Sequence, residues 1–207
     1  MPHHPRRRSL LTGAVAGSAA LLLTACGSSG KPAAPAYQGL VMGRTFDKPD
    51  VAFTDTSGKQ FNIATQTAGK SVLLYFGYTH CPDVCPTTMG DIAVAVSRLT
   101  KAQQAKLDVV FVTTDPARDT PKAMRSWLNA FNPSFIGLTG PMDTIISTAK
   151  SVGVGVVAPT KGQEPVHGAT VLAYSPTDGK AHILYTSGTL SDVYKHDLPL
   201  LIKGVKA

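Results

Sequence analysis

The sequence predicts an α/β domain with a central mixed sheet, helices on both faces and an N-terminal hairpin. Near-continuous apolar runs of strand length indicate strands that are covered on both faces. Stretches with apolar residues at helical spacing alternate with these runs, which is the order expected of parallel strands joined by helices. The chain has 207 residues. The part left after an N-terminal export signal and a tether, about 170 residues, is enough for one ordinary core.

The first predicted elements are a hairpin, a buried strand and a helix. Val51–Asp55 and Gln60–Ile63 flank the turn Thr56–Lys59, which is a hairpin pattern. Ser71–Gly77 is almost wholly apolar and predicts a central strand. From about Pro86 to Leu99, apolar residues recur at helical spacing and predict the first helix.

The second half of the chain repeats this alternation. Leu107 to Val112 predicts another buried strand, and Thr120 followed by Pro121 predicts the N-cap and first turn of a helix. The later elements are a short strand, a helix, two strands joined by a Pro- and Asp-Gly-containing turn, and a last helix: Phe135–Leu138, Asp143 to about Val152, Ala169–Tyr174, Ala181–Tyr185, and a helix from near Ser191.

The N-terminus predicts export and lipid attachment. Residues 1–25 combine a basic start with a small and apolar run too short to span a bilayer comfortably. The run ends in LTAC, which resembles a bacterial lipobox with Cys26 as the lipidated residue. Arg7-Arg8 and the residues after it also resemble a twin-arginine signal, so the export route stays open. We expect a flexible tether over residues 26–38 and the folded domain over residues 39–207.

The charge distribution argues against nucleic acid as a partner. Removing residues 1–25, which hold three Arg and no acidic residue, lowers the formal net charge from +7 to +4. The remaining positive charges are scattered and form no run of five or more. A mildly basic surface near an anionic membrane, or docking to an acidic partner, is compatible with this pattern.

A close cysteine pair marks the candidate site. If Cys26 carries lipid, Cys81 and Cys85 remain, directly after the first buried strand and at a predicted helix start, as in thioredoxin-like domains. Residues four apart share a helical face, so both sulfurs could point the same way, and a helix N-terminus favours thiolate. Thiolate is both a nucleophile and a metal ligand, so the spacing alone leaves redox chemistry and metal binding open.

Copper is the metal that best fits this pair with a histidine. Two thiolates and an imidazole suit Cu(I), and the Irving–Williams order favours Cu(II) over other divalent ions. Structural zinc usually takes four protein ligands, and we find three candidates. A disulfide between Cys81 and Cys85 would close a very small loop and constrain the unfolded chain little.

His167 is the preferred third ligand among the four histidines that follow residue 25. His80 adjoins Cys81, so we expect its side chain to point away from the pair; His182 falls in a strand pattern and His196 in the last helix. His167 lies in a loop just before a strand, and in a thioredoxin-like topology that loop faces the cysteines.

Three motifs resemble those of the Sco/SenC family. They are GYTHCPDVCPTT at residues 77–88, TDPARDTP at residues 114–121, and His167 before a strand–turn–strand that contains Asp178-Gly179. The resemblance covers roughly residues 39–203 and implies a thioredoxin-like, copper-binding domain with Cys81, Cys85 and His167 as ligands. It implies that Asp115 lies near the site, although a turn or helix-cap role fits Asp115 equally well.

The resemblance also implies a place of action and partners. It implies a domain at the outer face of the bacterial cytoplasmic membrane that receives copper from an upstream donor. The recipient would be the binuclear copper centre in subunit II of cytochrome c oxidase. The family often has an acidic residue before the histidine and Ser or Thr after it, whereas Val166 and Gly168 stand here. This departure bears on the tuning of affinity and redox poise more than on ligation.

Other functions fit the same residues. A thiol–disulfide oxidoreductase could use the dithiol to reduce the cysteines of the oxidase copper centre before metallation, and one dithiol could serve both roles. A peroxidase function is less suited to these residues, because ligation by His167 has no obvious role in peroxide reduction. A copper sensor or store also fits.

Overall fold

A computed structural model describes residues 36–160 and 163–207 of the chain. The predicted signal, Cys26 and the tether up to residue 35 lie outside the described residues. Within the described ranges, no helix is long and apolar enough to cross a membrane.

The described residues form ten strands and six helices. The strands are β1 Leu40–Asp47, β2 Ala52–Asp55, β3 Gln60–Asn62, β4 Ser71–Gly77, β5 Leu107–Thr113, β6 Ile136–Thr139, β7 Val156–Val157, β8 Val166–His167, β9 Val171–Tyr174 and β10 Lys180–Tyr185. The helices are α1 Ile63–Gln66, α2 Val84–Ser97, α3 Lys101–Gln104, α4 Pro121–Asn129, α5 Met142–Ser151 and α6 Ser191–Ile202.

Eight strands form one mixed sheet, as predicted. Their order is β1-β10-β9-β4-β5-β6-β2-β3. Neighbours β4, β5 and β6 run parallel, and the other pairs are antiparallel, including the β2–β3 hairpin. Every residue of β4 is buried, which agrees with its almost wholly apolar sequence. Because parallel strands place their carboxyl ends at one edge, the loops after β4 and β5 lie side by side.

Helices cover both faces of the sheet, which confirms the predicted layers. Apolar side chains of α2, α4 and α6 pack with Leu73, Tyr75 and Phe111 on one face. Those of α1 and α5 pack with Val72, Leu74 and Val110 on the other. The helix α4 begins as predicted, since the Thr120 side chain accepts from the Ala123 amide and Pro121 opens the first turn.

Several elements differ from the sequence prediction. The strand β1 was not predicted; most of its residues are exposed, so its sequence lacks the apolar run of a central strand. The four-residue helices α1 and α3 were not predicted either. His167 lies in the two-residue strand β8, whereas we expected a loop.

The ordered domain begins before residue 39. The Tyr37 ring is buried and its hydroxyl donates to the Val205 carbonyl at 2.8 Å. The amides of Gln38 and Gly39 donate to the buried carboxylate of Asp197 in α6, at 2.9 and 2.8 Å. Tyr37 and Gln38, which we assigned to the tether, therefore contact the folded domain.

Replacing Asp197 with Ala should destabilise the domain. The change leaves the amides of Gln38 and Gly39 and the hydroxyl of Tyr185, which donates to Asp197 at 3.2 Å, without their acceptor. We expect a loss of about 2–4 kcal/mol in the free energy of unfolding, measured by urea denaturation. Asp192→Ala, at an exposed carboxylate of the same helix, should change it by less than about 0.5 kcal/mol. Equal effects would contradict the assigned role of Asp197.

Candidate metal centre

The two cysteines lie in the turn after β4 and at the start of α2. Cys85 is the second residue of α2, but Cys81 precedes the helix, so the expected sharing of one helical face is wrong. The helical conformation is disfavoured for a residue that directly precedes proline, and Cys81 precedes Pro82. The Cys85 amide instead donates to Cys81 Sγ at 3.4 Å, so the sulfur accepts a hydrogen bond from the free N-terminus of the helix.

Cys85 lies at the centre of the candidate site. Its side chain is fully buried, and its Sγ lies 3.5 Å from the Tyr75 hydroxyl and 3.6 Å from His167 Nε2. Cys85 and His167 are 82 residues apart in the sequence. The predicted meeting of a cysteine at the helix start with the distant imidazole is therefore present in the structure.

Two tyrosines hold the imidazole of His167 edge-on. The ring centroid of His167 lies 6.1 Å from that of Tyr75 and 5.8 Å from that of Tyr78, both in T-shaped arrangements. Its Nδ1 is buried and has no hydrogen-bond partner among the described residues. Burial lowers the pKa of His167 below its ordinary value. The ring is thus neutral near pH 7, as ligation requires.

The two thiols differ in acidity. Burial alone would raise the pKa of Cys81, but the backbone amides of Asp83 and Cys85 donate to its sulfur and bring the pKa below the ordinary value. Burial raises the pKa of Cys85 to about 12. In the metal-free protein, Cys81 is the more readily ionised and more exposed sulfur, and Cys85 keeps its proton.

The candidate donor groups lie close together, but they do not form a complete metal-binding centre. Cys81 and Cys85 are both free thiols. Within residues 36–160 and 163–207, no three His, Cys, Asp or Glu side chains converge closely enough to hold a metal ion as they stand. The Cys81 sulfur accepts from the Cys85 amide at the helix N-terminus and also interacts with the Cys85 thiol.

The other three histidines within residues 36–160 and 163–207 have carboxylate partners. Half-exposed His80 lies 3.4 Å from Asp119, which agrees with the expectation that it points away from the cysteines. His182 contacts Asp178, and His196 contacts Asp197, each at 2.7 Å.

Asp115 lies in a turn close to the site. Its carbonyl accepts from the amides of Arg118 and Asp119, at 3.2 and 2.9 Å, and its buried carboxylate pairs with Arg118. The turn role considered from the sequence is thus observed. Arg118 also donates to Glu164, three residues before His167. Asp115 is therefore linked to the histidine segment through Arg118.

Asp119 is a site-building residue that the sequence analysis did not single out. Its fully buried carboxylate accepts from the Thr79 amide at 2.9 Å, the Thr79 hydroxyl at 2.5 Å and the Thr113 hydroxyl at 2.7 Å. It therefore ties the cysteine turn to the end of β5. Tyr75, Tyr78, Arg118 and Glu164 were also missed as contributors, because their contacts arise only once distant segments are packed.

Comparison with known proteins gives one family and a set of similar structures. The SCO1/SenC family model matches residues 44–192. The chain is 37% identical over 119 residues to the mitochondrial protein SCO2 of Saccharomyces cerevisiae. That match covers 58% of this chain and 38% of the relative, so it spans well under half of the relative's length.

Solved structures similar to this chain include both metal-free and copper-bound proteins. Apo Sco1 from Thermus thermophilus aligns with a TM-score of 0.70 and 30% identity, over 82% of this chain and 99% of that chain. Copper-bound ScoI from Arabidopsis thaliana aligns with a TM-score of 0.64 and 28% identity, over 79% and 97%. These matches confirm the thioredoxin-like fold.

Replacing Gly77 with Ala should disturb the position of Cys85. A Cβ at residue 77 would lie 2.9 Å from the Phe111 ring and 3.0 Å from both Cys85 Sγ and the Tyr75 ring. Overpacking of this kind costs about 1–3 kcal/mol. We expect a loss of that size in the free energy of unfolding, measured by urea denaturation.

The matched control is Gly90→Ala in α2, where an added Cβ meets nothing within 4 Å. Since alanine is the better helix former, this change should leave stability equal or raise it by up to about 1 kcal/mol. A Gly77→Ala protein as stable as the Gly90→Ala protein would contradict the close packing around Cys85.

Proposed function

The chain belongs to the SCO1/SenC family, and we propose that it carries one copper ion on Cys81, Cys85 and His167 and delivers it to cytochrome c oxidase. The observation that carries the proposal is the 3.6 Å contact between Cys85 Sγ and His167 Nε2, beside a second free thiol. A copper-bound member among the similar structures supports the choice of metal.

The donor set suits copper better than the common alternatives. Two soft sulfurs and a neutral imidazole match Cu(I), and the same set binds Cu(II) more tightly than other divalent first-row ions. Nδ1 of His167 has no hydrogen-bond partner among the described residues. The ring is therefore oriented by its contacts with Tyr75 and Tyr78 and not by a hydrogen-bonded carboxylate. Binding would release the Cys85 proton, so copper affinity should rise with pH.

Transfer would proceed by ligand exchange. Cys81 is the more exposed sulfur and lies in the turn before the helix, whereas Cys85 is fully buried. An incoming ligand from the recipient can therefore displace Cys81 first, while Cys85 and His167 still hold the ion. The proposed recipient is the binuclear copper centre in subunit II of the oxidase, and an upstream donor would load the site.

The proposed location is the outer face of the bacterial cytoplasmic membrane. There Cys26 would carry the lipid anchor, and the Gly-, Ser- and Pro-rich segment after it would let the domain reach a membrane-bound partner. This part of the proposal rests on the sequence.

Copper titration tests the ligand assignment. Residues 31–207 should bind one equivalent of Cu(I), measured by competition with a chromophoric chelator. Removing an outer partner of a metal ligand costs about 10–100-fold in affinity, so Cys81→Ser, Cys85→Ser and His167→Ala should each cost more than about 100-fold. His182→Ala is the control and should bind as wild type does. Undiminished affinity in the His167 variant would remove that residue from the site.

A second function is favoured by the unequal acidity of the two thiols. The Cys81 thiolate could attack a target disulfide and form a mixed disulfide, releasing one target thiolate. Cys85, after losing its proton, would then attack Cys81 Sγ, release the reduced target and leave a Cys81–Cys85 disulfide. The dithiol thus supplies two electrons, and an external thiol reductant would be needed to restore it.

Trapping distinguishes this role from copper delivery. With a disulfide-bonded peptide carrying the oxidase copper-site cysteines, Cys85→Ser should accumulate a mixed disulfide through Cys81, seen by mass spectrometry, and Cys81→Ser should not. His167→Ala should leave formation of the mixed disulfide largely intact, since Cys81 is the attacking sulfur and the imidazole contacts Cys85. Absence of the trapped species in Cys85→Ser would count against the reductase role.

A further inference from the structure

The segment that carries His167 has a small attachment to the domain. The strands β7 and β8 form a separate two-stranded ribbon, with Val156 opposite His167 and Val157 opposite Val166. The Gly168 amide donates to the Gly155 carbonyl at 2.8 Å and closes its base. Val157 and Val166 are 60% and 65% exposed, so the outer part of the ribbon gains little from burial.

One ion pair joins this segment to the loop after β5. The Arg118 guanidinium donates to both carboxylate oxygens of Glu164, at 3.2 and 2.5 Å. Its Nε donates to the buried Asp115, so the guanidinium is held on the domain side of the contact. The hydrogen bonds from Arg118 lower the pKa of Glu164, which keeps that carboxylate charged near pH 7.

The same guanidinium also contacts the wall of the metal site. Its central carbon lies 5.9 Å from the centroid of the Tyr78 ring, and that ring packs edge-on against His167. Arg118 thus contacts both the ribbon, through Glu164, and the aromatic ring that orients the imidazole.

We propose that the Arg118–Glu164 pair is an electrostatic latch that positions His167 against Cys85. Arg118 and Glu164 are positioning residues, since neither touches the sulfurs. The latch rests on the proposed copper site, but its effect on the ribbon exists in the metal-free protein. A two-point ion pair on a partly exposed surface is sensitive to salt, because the screening length falls from about 10 Å at 0.1 M to about 3 Å at 1 M.

The test compares Glu164→Gln with Asp47→Asn in the metal-free protein. Asp47 pairs with Lys180 at 2.6 Å on the far strand β1, and this exposed pair is the matched control. We expect faster hydrogen exchange at the ribbon amides, including Gly168, in Glu164→Gln alone. The shifts that Tyr75 and Tyr78 impose on the His167 ring protons should also shrink in that variant, as seen by NMR.

Copper binding provides the second readout. Exposed ion pairs contribute modestly, so Glu164→Gln should weaken Cu(I) affinity about three- to fivefold and Asp47→Asn should not change it. Raising the salt to 1 M should weaken wild type by a similar factor and leave Glu164→Gln nearly unchanged.

The two proposals fail separately. Unchanged ribbon exchange and ring shifts in Glu164→Gln would overturn the latch, whatever the copper affinity. Equal salt sensitivity of wild type and Glu164→Gln would overturn it too. Failure of the wild-type protein to bind copper would overturn the proposed function, and the exchange and ring-shift measurements would still decide whether the latch exists.

Discussion

The carboxylate of Asp119 joins the two loops on which the site is built. Parallel pairing of β4 with β5 places the ends of both strands at one edge of the sheet. There Asp119 accepts from Thr79 and from Thr113, and the Thr114 amide donates to the Gly77 carbonyl at 2.6 Å. Because the Asp119 carboxylate is fully buried, the turn that carries Cys81 has a fixed position relative to the loop that carries Arg118. The side-chain contacts around the metal site follow from that position.

The central elements were predictable because the conformation that their local sequence favours is also the one that their packing in the fold requires. The buried strand β4 is almost wholly apolar, and the N-terminus of α4 is marked by Thr120 and Pro121, so composition and capping agree with the final packing. The edge strand β1 could not be recognised in this way. Its residues are mostly exposed, and the pairing with β10 that makes it a strand is supplied by a segment more than 130 residues away.

The sequence identified the candidate donor residues, but it did not reveal how they are arranged. Cys81, Cys85 and His167 were identified from residue type, spacing and resemblance. The position of Cys81 outside the helix, with its sulfur accepting from the Cys85 amide, depends on Pro82 and on the uncapped helix start. Glu164 and Tyr78 gained their roles from contacts across the fold, which sequence spacing does not reveal. Asp119 lay within a recognised motif, but its burial was visible only in the structure.

The separation of the β7–β8 ribbon from the main sheet divides the chain into parts under different constraints. The imidazole sits on a segment that adds little to the core, whereas Cys85 sits among fully buried side chains beside Gly77. Substitutions in the ribbon can therefore alter the position of His167, the proposed third ligand, at little cost to folding. Substitutions around Cys85 cannot do so. The ribbon is therefore the region where the proposed copper affinity can be tuned without altering the scaffold.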